Sequence, residues 1–205
     1  MDGGTMGTPR KIHQSLTRLE AFSDGVFAIA ITLLVIEIKV PHLDHASTST
    51  ELLMALLKSW PSYFGFVISF FAILVVWINH HRFFQSLIGS DCRLLLANGF
   101  LLFTVSAMPF PTAVLADYLT TPAASAACAV YAGSLVMLNL GFILVWRVAH
   151  SGGLLKEGAI NRRLIFSLGL GFVVYLAAVF VAFVSPYLSL ALCMVLWPYW
   201  ALVER

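Results

Sequence analysis

Charged residues are scarce in this sequence of 205 residues, because Asp, Glu, Lys and Arg together make up only 11% of it. Apolar residues make up 60%, and a soluble domain could not cover its surface with so few charges. The formal net charge of +2 is small and no run of basic residues occurs, which argues against a protein that binds nucleic acid. Composition therefore predicts a protein embedded in the lipid bilayer.

Cysteines and catalytic motifs are also few. The three cysteines fall in separate apolar segments without a C-x-x-C pair, so neither a disulfide framework nor a thiolate metal site is expected. The sequence lacks H-E-x-x-H, a Ser/His pair and paired acids in facing apolar segments, so we expect no catalytic residues, no cofactor and no enzyme activity. His42, Asp44 and His45 lie in a polar loop, and we interpret them as free surface side chains rather than metal ligands.

Six apolar segments follow one another along the chain, which predicts an all-α membrane protein with six transmembrane helices per subunit. They cover about residues 18–40, 60–84, 94–116, 123–148, 164–184 and 187–203. Pro109 and Pro111 are expected to kink or break the outer end of the third segment. Glu51–Lys58 is expected to form a short helix at the membrane interface.

The basic residues predict the orientation of the chain. Ten of the twelve Lys and Arg residues fall on the side of the N-terminus, and only Lys39 and Lys58 fall on the other. The positive-inside rule then places both termini in the cytoplasm, in a multi-pass protein of the plasma membrane. Residues 1–15 are predicted to be a flexible cytoplasmic tail and residues 16–205 one domain. The first apolar run lacks a small-residue cleavage site, so we interpret it as a retained span.

The first span carries the residues on which a functional interpretation depends. Ile29, Thr32, Leu33 and Ile36 recur at i, i+3, i+4 and i+7, so they share one helical face. Asp24 lies roughly opposite that face. Because a carboxylate at membrane depth is costly unless it is paired, Asp24 is a candidate functional residue.

A family resemblance rests on the same span. Arg18, Phe22, Ser23 and Asp24 reproduce the pattern R-x-x-x-F-S-D, and the run V-F-A-I-A-I-T-L-L-V follows them. With the six-span pattern and a Trp/His/His cluster in the second span, these residues resemble the transmembrane protein 175 potassium channels, the lysosomal and bacterial kind. The resemblance covers about residues 15–203. One six-span repeat is typical of the bacterial members, so the resemblance implies a homotetramer.

The resemblance also implies where the pore would be narrowest. It places the constriction on Ile29, Leu33 and Ile36, with Thr32 as a polar layer between them. Rings of apolar side chains close a pore by sterics and dewetting. Periodicity alone is equally typical of a helix that packs inside a bundle. Glu37 follows at the outer mouth, where it could either attract cations or extend to the interface.

A second set of residues is expected to form a hydrogen-bond network at the cytoplasmic end of the bundle, and the family resemblance implies that ions do not pass over it. Its predicted members are Arg18, Phe22, Ser23, Asp24, Trp77, His80, His81 and Asn98. Asp24 could pair with Arg18 and accept hydrogen bonds from an indole or imidazole. A proton relay and a direct cation ligand remain alternatives for Asp24. The two histidines could report pH.

Together these features predict a potassium-permeable cation channel, with potassium ions, the lipid bilayer and further copies of the chain as partners. The sequence contains no T-V-G-Y-G filter, so we expect only a modest preference for K⁺ over Na⁺. No Arg-rich span occurs, which argues against voltage sensing. The alternative is a proton-coupled secondary transporter that uses Asp24, although such proteins usually show internal repeats and broken helices.

Overall fold

The computed structural model describes residues 8–43, 48–158 and 162–202. These ranges contain eight α-helices and no β-strand, so the predicted all-α fold class is confirmed for them. The helices are α1 (Thr8–Leu33), α2 (Ser49–Lys58), α3 (Trp60–Gln85), α4 (Cys92–Ser106), α5 (Pro109–Tyr118), α6 (Ala124–Ser151), α7 (Arg162–Val181) and α8 (Pro186–Leu202). The first seven residues of the predicted tail, Asp44 and His45 of the first loop, and residue 203 of the sixth predicted span lie outside the described residues.

Four helical segments in these ranges are long and apolar enough to cross a membrane. They are Leu16–Glu37, Trp60–Gln85, Cys92–Tyr118 and Ala124–Ser151. Two shorter apolar helical segments, Ile165–Val181 and Pro186–Pro198, follow in α7 and α8. The first four predicted spans therefore coincide with helical segments of sufficient length. The count of six stays a prediction, because four helical segments of sufficient length are found among the described residues.

Both ends of α1 differ from the predicted boundaries. The helix already includes Thr8, the first described residue, which lies inside the region that the sequence analysis predicted to be a tail. At the other end α1 tightens into a single 3₁₀ turn, Leu34–Glu37, beyond which the chain is extended.

The third predicted span is interrupted at its two prolines. α4 ends at Ser106 and α5 begins at Pro109, so the expected break is confirmed. A proline inside a helix removes a backbone hydrogen bond and clashes with the preceding turn. Because only Ala107 and Met108 separate the two helices, α4 and α5 together still form one apolar segment.

α2 is a short helix that begins with a capping box. The Thr48 hydroxyl accepts a hydrogen bond from the Glu51 N–H at 3.3 Å, and the Glu51 carboxylate accepts one from the Thr48 N–H at 2.6 Å. No residue of α2 is buried, and its leucines are exposed. The predicted short helix is therefore confirmed, while its position at the membrane interface stays a prediction.

α6 is the central helix of the bundle and packs against α4, α5, α7 and α8. Its approach to α4 is close at Gly141, where an added Cβ would lie 3.1 Å from the Leu101 Cα. Small residues permit such close contacts between helices in membranes. α1 packs against α3 and α4, and this arrangement decides which face of α1 is buried.

The α3–α4 and α6–α7 connections are joined by backbone hydrogen bonds. The N–H of Ile88 donates to the carbonyl of Leu154 at 2.9 Å, and the N–H of Lys156 donates to the carbonyl of Ser86 at 2.9 Å. The Lys156 ammonium also donates to the Gln85 carbonyl at 2.6 Å. These contacts hold the end of α3, which carries the predicted histidine cluster, against the end of α6.

Gly171 marks a close contact between α7 and its neighbours. An added Cβ there would lie 2.5 Å from the Trp200 ring and 2.7 Å from the Asn139 amide nitrogen. We therefore expect Gly171→Ala to lower the free energy of unfolding by about 1–3 kcal/mol, as overpacking does. Thermal unfolding of the purified protein measures this effect.

Gly169 provides a matched control on the same helix, because an added Cβ at Gly169 meets nothing within 4 Å. Gly169→Ala should leave the stability unchanged or raise it by up to about 1 kcal/mol, since alanine favours helix over glycine. Equal stability of the two variants would contradict the close packing at Gly171.

Candidate pore helix and its hydrogen-bond network

One face of α1 is buried against α3 and α4, and the 3₁₀ turn that continues it packs against α3 and α5. Ser23, Phe27, Ala30 and Leu34 are each no more than 2% exposed, and they recur at i, i+4, i+7 and i+11. This spacing keeps all four residues on one side of a helix. The buried face therefore fixes the rotation of α1 about its own axis.

The opposite side of α1 carries the predicted constriction and is exposed. We call Ile29, Thr32, Leu33 and Ile36 the outward face. The exposed fractions of Ile29, Leu33 and Ile36 are 61%, 42% and 67%, and Thr32 is also exposed. The rest of the described chain therefore leaves much of their apolar surface uncovered. In a membrane, an apolar face of this kind contacts either lipid or another protein surface.

Thr32 is the one polar residue of the outward face, and its hydroxyl is already used as a donor. Its Oγ1 lies 3.0 Å from the carbonyl oxygen of Ala28 and 2.9 Å from that of Ile29. A hydroxyl has a single proton, and here it points back to the helix backbone. The lone pairs of Thr32 Oγ1 are therefore left to face outward as acceptors.

The chain just after α1 and its 3₁₀ turn is held to α5 by an ion pair. Lys39 Nζ lies 2.6 Å from Asp117 Oδ2, and both side chains are largely exposed. The hydrogen bond to Asp117 raises the pKa of Lys39. Exposed pairs of this kind contribute little to stability. Because Lys39 is paired with Asp117, Glu37 is the carboxylate that remains beside this end of the outward face.

Ser23, His80 and Asn98 form a continuous chain of hydrogen bonds between α1, α3 and α4, which we call the buried network. His80 Nε2 lies 2.9 Å from Asn98 Oδ1, and Asn98 Nδ2 donates to Ser23 Oγ at 2.9 Å. Ser23 Oγ in turn donates to the carbonyl of Leu19 at 2.8 Å. An amide oxygen can only accept, so His80 Nε2 carries the proton of its bond.

The three side chains of the buried network are completely shielded, each with 0% exposure. The His80 ring also stacks on Phe84 with ring centroids 4.0 Å apart and contacts Phe27 at 5.3 Å. Polar groups buried in this way are costly unless they are hydrogen-bonded. The network thus locks the position of α1 relative to α3 and α4.

Asp24 belongs to a separate, less buried cluster. The Trp77 indole Nε1 donates to Asp24 Oδ1 at 2.8 Å, and the Trp77 ring stacks on His81 with centroids 5.9 Å apart. His81 Nε2 lies 2.9 Å from Gln85 Nε2. His81 Nδ1 lies 3.1 Å from Glu20 Oε1, an ion pair when the ring is protonated but not aligned as a hydrogen bond. The expected indole contact to Asp24 is therefore present.

Two predicted members of the network lie elsewhere. Arg18 is exposed, and among the described residues no ion pair joins it to Asp24. The two residues are six positions apart, which places them about 120° apart around the helix and about 9 Å apart along it. Phe22 is 64% exposed and flanks the outward face. The predicted pairing of Asp24 with Arg18 is therefore wrong.

Several partners escaped the sequence analysis. Glu20 and Gln85 lie one helical turn from predicted residues, at i−4 from Asp24 and i+4 from His81, and this spacing could have indicated them. Phe27 likewise lies at i+4 from Ser23, whereas the Lys39–Asp117 pair carries no such local signal. Within the described ranges, no group of three or more His, Cys, Asp or Glu side chains is placed to bind a metal.

The hydrogen bond from Trp77 to Asp24 yields a test. Trp77→Phe keeps an aromatic ring for the stack on His81 but removes the N–H donor. We expect the free energy of unfolding to fall by about 1–2 kcal/mol, because the partly buried carboxylate loses its donor. Trp60→Phe is the control, since Trp60 is 44% exposed and its ring packs against the edge of Phe64. Equal thermal stability of both variants would show that the bond to Asp24 contributes nothing.

Comparisons with known proteins identify the family to which the chain belongs. A family model described as the endosomal/lysosomal potassium channel TMEM175 matches residues 18–109. A potassium channel of Chamaesiphon minutus is 45% identical over 194 residues, which cover 90% of this chain and 93% of the relative. The chain belongs to the TMEM175 family. A potassium channel of Streptomyces collinus is 44% identical over 182 residues, which cover 85% of each chain.

The fold also agrees with a solved member of the TMEM175 family. The crystal structure of a lysosomal potassium-selective channel TMEM175 homolog from Chamaesiphon minutus is similar to this chain with a TM-score of 0.81 and 42% sequence identity. The similarity covers 94% of this chain and 99% of that chain. Family membership and the apolar helices together make this a multi-pass membrane protein. Residues 18–109, which match the TMEM175 model, include the outward face and the buried network.

Proposed function

We propose that this chain is a potassium-permeable cation channel, a homotetramer in which α1 of each copy lines a central pore. The observation that carries the proposal is the outward face of α1. This face is apolar and exposed, although the other side of the same helix is fully packed. The TMEM175 relatives of similar length are named potassium channels, which supports potassium as the permeant ion.

Four copies of the outward face would form stacked rings around the pore axis. Rings of Ile29, Leu33 and Ile36 exclude water from a narrow passage and so raise the barrier to ions. Thr32 adds a ring of hydroxyl oxygens whose lone pairs point away from the helix. These oxygens replace part of the hydration shell of a passing cation. The pore would therefore be hydrophobic with one polar layer.

Selectivity would be modest in such a pore. No backbone-carbonyl filter of the T-V-G-Y-G kind is present to coordinate a dehydrated ion. Glu37 would lie at the outer mouth and attract cations of either kind. The ion pair of Lys39 with Asp117 neutralises the positive charge nearest to Glu37. We therefore infer preference for cations over anions, with K⁺ favoured over Na⁺ by its easier dehydration.

The buried network would serve the channel as a support rather than as an ion path. It lies on the side of α1 opposite the outward face. Asp24 likewise lies away from that face, and its carboxylate accepts from the Trp77 indole. We infer that both termini are cytoplasmic and that the protein resides in the plasma membrane, since basic residues concentrate on the side of the N-terminus.

Ion flux from liposomes that contain the purified protein tests the proposed function. A channel carries K⁺ without coupling, so flux follows the imposed voltage and persists without a proton gradient. A secondary transporter instead gives saturable flux that depends on the proton gradient. Empty liposomes are the control for passive leak. K⁺ flux that vanishes when the proton gradient is removed would refute the channel and favour the transporter.

The substitution Asp24→Asn also distinguishes a channel from a proton-coupled transporter. In the channel, Asp24 supports the packing of α1 against α3, so the substitution should mainly reduce the yield of assembled protein. In the transporter, Asp24 is the titrating group. A variant that assembles normally but alone loses proton coupling would therefore support the transporter.

Subunit number is a separate measurement. Native mass spectrometry or chemical cross-linking of detergent-solubilised protein should report four copies of the 22.5 kDa chain. A monomer, or a dimer too small to enclose a pore between copies of α1, would refute the proposed arrangement.

A further inference from the structure

A cavity of about 50 Å³ lies between α3, α6, α7 and α8, outside the buried network. Its walls are mostly aliphatic and aromatic. The aromatic side chains that line it are Phe142, Tyr175, Trp197 and Trp200. Its polar lining consists of Asn79, Asn139 and Ser167 together with the polar atoms of the aromatic residues.

Two asparagine oxygens in the cavity wall lack hydrogen bonds within the protein. Asn79 Oδ1 and Asn139 Oδ1 are both shielded from solvent and have no donor. Asn139 is only 7% exposed, and it lies in the middle of α6, the most central helix. A buried carbonyl oxygen without a donor is unfavourable, so such atoms in native proteins usually have a partner. Two such oxygens in one wall give the cavity two acceptors that a donor group can use.

The lining also restricts the charge and size of what can enter. None of the described lining residues is charged, so an ionic ligand would lose its hydration without gaining a counter-ion. The cavity has room for on the order of three to four water molecules. The occupant is therefore neutral and small, with a few heavy atoms inside the cavity.

We propose that this cavity is a binding site for a short-chain alcohol or a similarly small neutral molecule with a hydroxyl group and an apolar body. The hydroxyl donates to the amide oxygen of Asn139 or Asn79. The apolar part lies against the rings of Tyr175, Trp197 and Trp200. Sites of this composition, apolar with a few convergent polar groups, are typical of small-molecule pockets. The proposal does not depend on ion conduction.

Quenching of tryptophan fluorescence by 2-bromoethanol tests the site, because Trp197 and Trp200 line the cavity and bromine quenches indole emission. The protein is used as the intact oligomer in lipid nanodiscs. We expect a saturable component with a dissociation constant on the order of millimolar, as suits so small a ligand. Collisional quenching of the other three tryptophans adds only a linear background.

Bromoethane is the matched control probe, since it differs from 2-bromoethanol only in lacking the hydroxyl. We expect it to bind on the order of tenfold more weakly, the effect of one lost hydrogen bond. Asn139→Leu should weaken the binding of 2-bromoethanol by a similar factor and leave the binding of bromoethane unchanged. Ala72→Leu, which places extra volume in the cavity, should weaken both probes.

Three results would overturn the proposal. One is quenching that stays linear with probe concentration in the unaltered protein. Another is equal binding of the two probes, which would show that the asparagine oxygens play no part. The third is unchanged 2-bromoethanol binding in Asn139→Leu. If Asn139→Leu does not assemble, Asn79→Leu is measured in its place, with the same expected loss and the same contradicting result.

Discussion

Replacing Ile29 with asparagine opens an ion leak and weakens discrimination between K⁺ and Na⁺. In a tetramer the substitution places four amides in one apolar ring, so water remains in the passage and the barrier falls. A fall of only 1.4 kcal/mol in the barrier raises the flux tenfold, so we expect an increase on the order of tenfold or more. Flux of K⁺ and of Na⁺ from liposomes, compared with the unaltered protein, measures both effects.

Val173 offers a matched control for Ile29. It is also β-branched and is 63% exposed against 61% for Ile29, but it lies on α7 rather than on the outward face of α1. Val173→Asn should leave flux and selectivity unchanged, even if it lowers the yield of membrane-inserted protein. Equal flux in Ile29→Asn and the unaltered protein would show that ions do not pass this position.

Replacing Asn98 with leucine lowers the thermal stability of the protein more than any other single change in the buried network. Asn98 both accepts from His80 and donates to Ser23, so its loss breaks two hydrogen bonds and leaves the His80 N–H without an acceptor. Hydrogen bonds between helices in membranes contribute about 0.6–1.7 kcal/mol each, and an unpaired buried group adds to the loss. A destabilisation of about 2–4 kcal/mol should lower Tm by about 5–15 °C.

Thr104→Val is the control for Asn98→Leu. Thr104 lies on the same helix and is only 7% exposed, but its hydroxyl donates to the carbonyl of Leu101 within α4. Its removal breaks no contact between helices, so Tm should change by only a few degrees. Size-exclusion chromatography of heated samples measures Tm for both variants. A similar Tm for the two would mean that the network does not hold α1 in place.

These two predictions concern opposite sides of one helix, and they separate the two functions of α1. The outward face would decide how ions pass, while the buried face decides where the helix lies. Ile29→Asn should change flux with little change in Tm. Asn98→Leu should change Tm, and it should change flux only as far as assembled protein is lost.

Much of α1 was predictable because its signals are local. The spacing of Ile29, Thr32, Leu33 and Ile36 depends only on helical periodicity, which the sequence displays directly. The break before Pro109 is equally local, since it follows from the covalent structure of proline. The motif that contains Ser23 and Asp24 indicated the family, and the comparisons confirmed it.

Contacts across the bundle were less predictable. Topology placed Asp24 and Trp77 at one depth and led to the expected indole donor, but it could not tell that Arg18 stays exposed. Lys39 and Asp117 were missed because they lie 78 positions apart in the sequence. The cavity beside Asn139 has no sequence signal at all, since it arises from four helices that enclose it.

By itself the sequence determined that this protein is helical, apolar and embedded in a membrane, because composition and periodicity act through the local chain and the solvent around it. It also determined which residues of α1 share a face. Only the tertiary structure decided which of those faces is buried, since that depends on the packing of α3 and α4 against the helix. Burial on one side is what leaves Ile29, Leu33 and Ile36 exposed on the other.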